Sequence, residues 1–445
     1  MKRRLSYKRI QYSLLMTSIL TYLYIPLNSS VNMLLHYWNI FLLLCSVMVF
    51  FKYKRKTNYF DFDTMFILLS SIIVFFATFF YNQSFYKLLF LNIPFNERYV
   101  NVGNVISLIG IQSYMLGSMS HFKCFNQTKI NKAIKMWKGN TFLFLMLLMF
   151  ILLGGVGYYQ SLYQGQAEGA GSIFAYILLL SIIIVSVNVS ILFTKKTKMD
   201  TILKNKFFFF TLIIFSLILL YIGRRSFFLF LVFPFVALYT RIIKDITLRN
   251  FYFLFFVGII IFWIVQNMRI NVSISVSSLN PVMLFTDLTI PSRSIYTAIE
   301  YVEENGYTYG ESMLAGIIGL IPFIGSFFDS NKIYSAGLLT EYTFNSMGKD
   351  VSFGLGTTIF ADVYLAWGIL GVILFLYVLG RIVSYIHCKV DKGDIYSYYM
   401  YAILVSQCVF MVRDSYFSSL RYYVWGFIYI WCLKHVTMKF NKNRI

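Results

Sequence analysis

FLFLMLLMFILL (142–153) and IFAYILLLSIIIVSVNVSILF (173–193) decide the fold. The second stretch runs 21 residues without a charge, and about 18–20 apolar residues cross a bilayer as a helix. Similar runs recur along most of the chain. Composition agrees: 58% of residues are apolar, 13% are charged, and the mean hydropathy is +0.68. A soluble domain carries roughly 25% charged residues, so the chain cannot be a soluble globule. The expected fold is all-α, a polytopic membrane bundle forming one integral membrane domain over residues 1–445.

Working outward from those stretches, apolar spans are expected at about 11–27, 33–51, 64–81, 102–120, 141–159, 173–193, 207–222, 226–240, 251–267, 357–380, 395–412 and 422–435. That makes about twelve transmembrane helices. Every second connection is basic: KRRLSYKR at the start, KYKRK (52–56), five lysines in 123–138, KKTK (195–198), RIIKDITLR (241–249), the 381–394 loop and the tail from Lys434. One side thereby holds 29 of the 39 basic residues but only 6 of the 18 acidic ones. Basic loops stay in the cytoplasm, which places both termini there. The net charge of +21 is then mostly a topology signal with some attraction to anionic lipid, and nucleic acid is not a partner. The first span is not read as a signal peptide, because the LNSS that follows lacks a small-residue cleavage site.

The five cysteines fall in expected spans (Cys45, Cys408, Cys432) or cytoplasmic connections (Cys124, Cys388), so no disulfide framework is expected. Cys and His show no zinc-like spacing. Asp61-Phe62-Asp63 has a D-x-D form but lies beside KYKRK, and reads as a solvated cytoplasmic face. His36, near the outer side, reads as a core or interfacial histidine.

One connection differs from the rest. Residues 268–356 form a long extracytoplasmic loop with eight acids and four basic residues, and loops of this length are usually functional or disordered. Within it, SRSIYTAIEYVEE (292–304) has helical apolar spacing. SMLAGIIGLIPFIG (312–325) is apolar but too short to span, which suggests a re-entrant or interfacial segment. The loop is therefore expected to be partly helical and to carry the active region. Tyr296, Tyr301, Tyr307, Tyr309 and Tyr342 are its candidates for stacking on sugars.

Ionisable groups at the outer membrane face are the candidate machinery. Arg224 and Arg225 lie in a short turn between two spans, Arg413 and Asp414 follow the eleventh span, and Arg421 opens the twelfth. Asp362 lies about a turn and a half inside the tenth. Such charges are costly and mark sites or pathways by default, although single arginines at helix ends also snorkel to lipid phosphates. Arginine's planar fork matches phosphate better than lysine's ammonium does, so a cluster of them suits a pyrophosphate.

Four stretches, in order, resemble the Wzy-type polymerases of O-antigen and capsule repeat units: GRRSFFLFLVF (223–233), NGYTYGESMLAGIIGLIP (305–322), FGLGTTIFADVYLAWGILGVILFLYVLGR (353–381) and VRDSYFSSLRYYVWG (412–426). In the third, Asp362, Tyr364, Gly368 and Gly371 stand where the family shows an acid, more often Glu, then tyrosine and a glycine pair. Phe323 stands where an arginine commonly follows the IP of the second. The resemblance implies a glycosyltransferase of the bacterial inner membrane, which moves a growing glycan from undecaprenyl pyrophosphate onto a new lipid-linked oligosaccharide at the outer face. The donor carries its own leaving group, so no cofactor or metal is implied. A flippase and a chain-length regulator (a polysaccharide co-polymerase) are the implied partners. Asp362, Arg224 and Arg225 are the expected catalytic residues; Arg269, Arg293, Glu300, Glu341, Arg413 and Arg421 are expected to bind substrate. An O-antigen ligase-like transferase and a flippase or other transporter are the alternatives. The first would be favoured by an essential outer histidine; the second has no need of one dominant outer loop.

The topology is directly testable. Reporters fused near residues 130 and 200 should report cytoplasm, and those near 165 and 335 the outer side. A cytoplasmic signal at 335 would overturn the placement of the active region.

Overall fold

The structure, a computed structural model, describes residues 2–25, 31–83, 85–120, 137–163, 171–194, 205–270, 289–322, 324, 333–351, 354–391 and 393–442. Among these there are helices and no strand. Helix occupies all twelve expected span positions, but the spans are not equivalent. Among the described residues, five helical stretches are long and apolar enough to cross a membrane: Met33–Lys54, Phe62–Phe80, Ile173–Thr194, Arg225–Ile242 and Ile359–Val390. A sixth is counted if Asn140–Leu152 and Gly155–Ser161, bent by 53° at the intervening break, form one span. Lys206–Tyr221 and Leu248–Ile261 are apolar but shorter.

The outermost helices are inside-out, as lipid demands. Helix α1 (Lys2–Tyr24) is followed by α2 (Met33–Lys54), which exposes Leu34, Tyr37, Trp38, Phe41, Leu44 and Met48 at helical spacing and buries His36, Asn39 and Ser46 on the other face. Helix α3 (Phe62–Phe75) leads through three short 3-10 turns to α4 (Val100–Ser118), every residue of which is buried. Enclosed by protein, α4 tolerates Asn101, Asn104 and Gln112, and that polarity keeps it off the list of apolar spans. It follows that α4 is the axis of the bundle.

Around and beyond it come α5 (Trp137–Leu152), α6 (Gly155–Tyr163), α7 (Gly171–Thr194), α8 (Lys206–Tyr221), α9 (Arg225–Ile242) and α10 (Leu248–Ile270). Next are three shorter helices, α11 (Arg293–Asn305), α12 (Glu311–Ile318) and α13 (Ser335–Ser346). The long α14 (Ile359–Val390), α15 (Ile395–Ser406), α16 (Cys408–Val412) and α17 (Leu420–Lys442) complete the chain. The helix expected over 292–304 is α11, shifted by one residue. The apolar stretch 312–325 is helical only to Ile318, and Phe323 and 325 onward lie outside the described residues, as do 271–288 of the expected loop.

Helices α4 and α14 run parallel and make the most extensive helix–helix contact in the molecule. Glycine allows it. A Cβ on Gly117 would lie 2.0 Å from the Tyr377 carbonyl oxygen, and one on Gly380 2.1 Å from the Tyr114 carbonyl oxygen. One and two heptads earlier on the same face, Gly110 lies against Phe360 and Val372, and Gly103 against Tyr296 of α11. Backbones approach this closely only where side chains are absent. Ser384 then donates to the Ser120 carbonyl at 2.7 Å to close the seam.

Two ends result. At the basic end, Arg241 pairs with Asp391 at 2.7 Å, and the D-x-D acids are buried rather than solvated, correcting the sequence reading. Asp63 accepts from Tyr114 and, at 2.8 Å, from Ser118, with Lys54 3.6 Å away, while Lys56 pairs with Asp61. His387 completes the cluster, and two lysines offset its two carboxylates. Cys388 is disulfide-bonded, contrary to the free thiol expected from position alone. At the other end α11–α13 form a layer together with the α3–α4 connection, which sequence reading passed over. Asn96 donates to Glu300 at 3.1 Å, Tyr99 to Glu303 at 2.7 Å, and Thr289 to the Leu89 carbonyl at 3.2 Å.

Gly117→Val forces its side chain into backbone that cannot retreat. Overpacking typically costs 1–3 kcal/mol, so a melting temperature in detergent well below wild type is expected. Gly258→Ala, where an added Cβ meets nothing within 4 Å, should melt as wild type does.

Candidate active site

A cavity of about 700 Å3 opens at the layered end, between α12, α13, the connection 413–419 and the start of α17. That is the size of a ligand pocket. Ala315, Gly316, Gly319, Gly337, Gly354 and Gly356 leave the room, Tyr176 and Tyr334 supply aromatic wall, and Thr340, Glu341, Asp414 and Arg421 supply the polar groups. Gly316 is needed for closeness as well as space, since a Cβ there would come within 2.7 Å of Phe417. Tyr334 donates to the Ala315 carbonyl at 3.0 Å and Trp425 to the Leu320 carbonyl at 2.8 Å. The second bond satisfies the Leu320 carbonyl in the turn after α12, while the Ala315 carbonyl also accepts the Gly319 N–H at 2.9 Å.

Asp362 stands behind this wall, fully buried in the first turn of α14. Thr358 caps the helix, accepting from Ala361 N–H at 3.2 Å. Oδ2 of Asp362 accepts the Tyr416 backbone N–H at 2.9 Å, and the buried hydroxyls of Ser312 (α12) and Ser335 (α13) lie beside the carboxylate. One side chain therefore ties α14 to three of the elements that frame the cavity, α12, α13 and the 413–419 connection. Asp414, two residues from Tyr416, is, with Glu341, an acid at the cavity wall itself. Burial pushes its carboxyl up to about 6; nearby Asp362 adds to the rise, and Arg421 and Arg413 oppose it. A carboxyl at that value beside an open cavity is poised to exchange a proton near neutral pH.

Of the residues picked out from sequence, Glu341 and Arg421 line the cavity and Asp362 supports it. Others lie elsewhere. Arg224 caps α9 with its guanidinium 4.1 Å from the centre of the Tyr159 ring, and Arg225 begins that helix, half-buried. Arg413 is a neighbour of Asp414. Arg293 is buried under the layer and donates to the Pro94 carbonyl at 3.0 Å and to Thr343 at 3.2 Å, holding α11 to α13. Glu300 is bound to Asn96 and lines neither this cavity nor a smaller one on α11. Arg269 ends α10, and its side chain lies outside the described residues. Tyr296, a candidate for stacking on sugar, is buried and donates to Asn104 at 2.9 Å. Sequence reading noted Asp414 only as the neighbour of Arg413. Its signal was an acid between two arginines at the end of a span, but its burial comes from the fold.

The sequence profile of the O-antigen polysaccharide polymerase Wzy family matches residues 7–442, nearly the whole chain. The chain belongs to that family. This Wzy-family chain is a membrane protein that polymerises lipid-linked oligosaccharide repeat units into surface polysaccharide; the ligase and flippase readings are not favoured. Searches of curated proteins and of solved structures return no match.

The supporting role of Asp362 in this Wzy-family chain separates from chemistry on substitution. Asp362→Ala orphans a buried N–H, at a cost of about 1–3 kcal/mol, and should lower the melting temperature in detergent as well as activity. Asp362→Asn keeps an acceptor for Tyr416 and should melt close to wild type.

Proposed function

We propose that the 700 Å3 cavity is where the glycan is transferred, which makes the chain a glycosyltransferase using undecaprenyl-pyrophosphate-linked donors at the outer face of the bacterial inner membrane. The observation that carries this is the shared wall of Arg421, Asp414 and Glu341, at the end of the bundle away from the basic connections. Basic connections face the cytoplasm, so the cavity opens outward and both termini lie inside. A flippase that delivers the repeat units and a chain-length regulator are the partners this placement calls for.

The residues divide the chemistry among them. The acceptor hydroxyl oxygen forms a bond to the anomeric carbon of the donor glycan, while the bond from that carbon to the pyrophosphate oxygen breaks and its electron pair leaves with the pyrophosphate. Arg421 offers a planar fork of donors to that developing charge. Asp414, ionised above about pH 6, takes the proton of the acceptor hydroxyl. Glu341, across the cavity, holds sugar hydroxyls. Arg413 keeps the neighbourhood of Asp414 positive. Arg224 and Arg225, at the outer end of α9, stand where the pyrophosphate of a second lipid-linked unit approaches, and Arg269 is assigned to the same substrate.

A polymerisation assay with lipid-linked repeat units tests the assignment. Rate should fall below pH 6, where Asp414 is protonated and accepts nothing, and level off above it. General-base loss costs roughly 10²–10⁴-fold, so Asp414→Asn should slow elongation by that much and remove the inflection while the melting temperature holds. Arg421→Lys should impair the rate by losing the fork. An Asp414→Asn enzyme that keeps wild-type rate would sink the proposal.

A further inference from the structure

A second cavity, of about 390 Å3, lies on the segment that joins α11 to α12. Its walls are Tyr301, Tyr307 and Tyr309, with the Asn305 amide and the Glu311 carboxylate among them. Among the described residues no lysine or arginine lines it, which does not suit phosphate. Trp367 of α14 stands next to it, with its ring 6.3 Å from Tyr309, and a Cβ on Gly310 would lie 3.1 Å from the indole.

Folding stability does not account for the way these rings are displayed. Gly306 and Gly310 have φ of 82° and 92°, values glycine adopts freely, but Tyr309 between them is held at φ 48°. Bulky residues rarely adopt that region, and the backbone there is strained. Packing offers little return, since Tyr309 is 73% exposed. Tyrosine and tryptophan collect at membrane interfaces for general reasons, but a belt residue needs no left-handed backbone.

The segment is held by a break in α14. Gly368, at φ 63° and ψ −158°, interrupts the helix and frees the Leu365 carbonyl, which accepts from Thr308 N–H at 3.0 Å and from its hydroxyl at 3.3 Å. Tyr307 lies directly over the break, its hydroxyl 2.8 Å from where a Cβ on Gly368 would sit. The tyrosines are thus fixed relative to the helix that carries Asp362. Glu311, at the start of α12, faces this cavity, while Ala315 and Gly316, one turn on, face the larger one. A helical turn rises about 5.4 Å, so one glycan chain can reach both.

We infer that this second cavity is a saccharide-binding subsite that holds a ring of the glycan beyond the reacting centre. Aromatic faces carry negative potential and meet the C–H face of a pyranose, while the Asn305 amide donates to or accepts from its hydroxyls and the Glu311 carboxylate accepts from them. The inference rests on the transferase reading of the larger cavity for its purpose, but not for its test.

The test uses the full chain in nanodiscs. The probe is the free reducing oligosaccharide released by mild acid from the producing strain's lipid-linked repeat unit. Binding is read by saturation-transfer NMR and titration, without turnover. Wild type should bind; Tyr309→Phe should bind within about threefold of it, and Tyr309→Gly at least tenfold more weakly. Because glycine relieves the φ of 48°, Tyr309→Gly should also melt at or above the wild-type temperature. Wild type that does not bind the saccharide, or Tyr309→Gly that binds normally or melts well below wild type, overturns the subsite. Saccharide binding by a protein that fails to elongate lipid-linked units would instead count against the transferase reading and leave the subsite standing.

Discussion

The glycine seam between α4 and α14 is the contact on which the rest of the molecule depends. Two backbones touch at Gly117 and Gly380, with each ideal Cβ position about 2 Å from a carbonyl oxygen of the other helix. In lipid the hydrophobic effect does not drive helices together, so close van der Waals packing of small residues does that work. The seam fixes how far α14 is pushed along α4. That offset sets the height of Thr358 and Asp362, and with them the height of everything that hangs from the first turn of α14.

From there the site follows as a chain of local contacts. Asp362 gathers α12, α13 and the 413–419 connection around one buried carboxylate. A buried carboxylate is expensive without hydrogen bonds, and the one it accepts from the Tyr416 N–H holds the connection that carries Asp414 at the cavity wall. The break at Gly368 does the same for the segment carrying Tyr307 and Tyr309. Non-helical backbone at such depth is tolerated where it packs on protein or faces a wet cavity, and both conditions hold here. Rigid spans thus carry a layer of short helices whose placement is decided by a few satisfied polar groups.

Charge pattern and chemistry turn out to be separable. Arg293 shows why residue type alone is a weak guide: it is an arginine in an acid-rich stretch, yet its Nη2 donates to Pro94 and Thr343 and it serves the layer. Asp63 is the converse, a residue set aside as solvated that turns out to be buried and ion-paired. In both cases the charge was visible in the sequence, but the hydrogen-bond partners that bury it, 50 to 199 residues away, were not.

The sequence by itself determined the class of fold, the alternation of basic connections and the family. Uninterrupted apolar length and loop charge are local properties, readable because the bilayer imposes them span by span. It also marked Glu341 and Arg421, and it marked α11 through helical spacing in 292–304. Only the tertiary structure decided that α4 is enclosed, that the connection before it joins the layer of α11–α13, and that Asp414 faces the cavity with Asp362 behind. The physical reason is that burial is a property of the neighbours. Gly103, Gly110 and Gly117 repeat every seven residues, but nothing in that repeat says which helix will fill the groove.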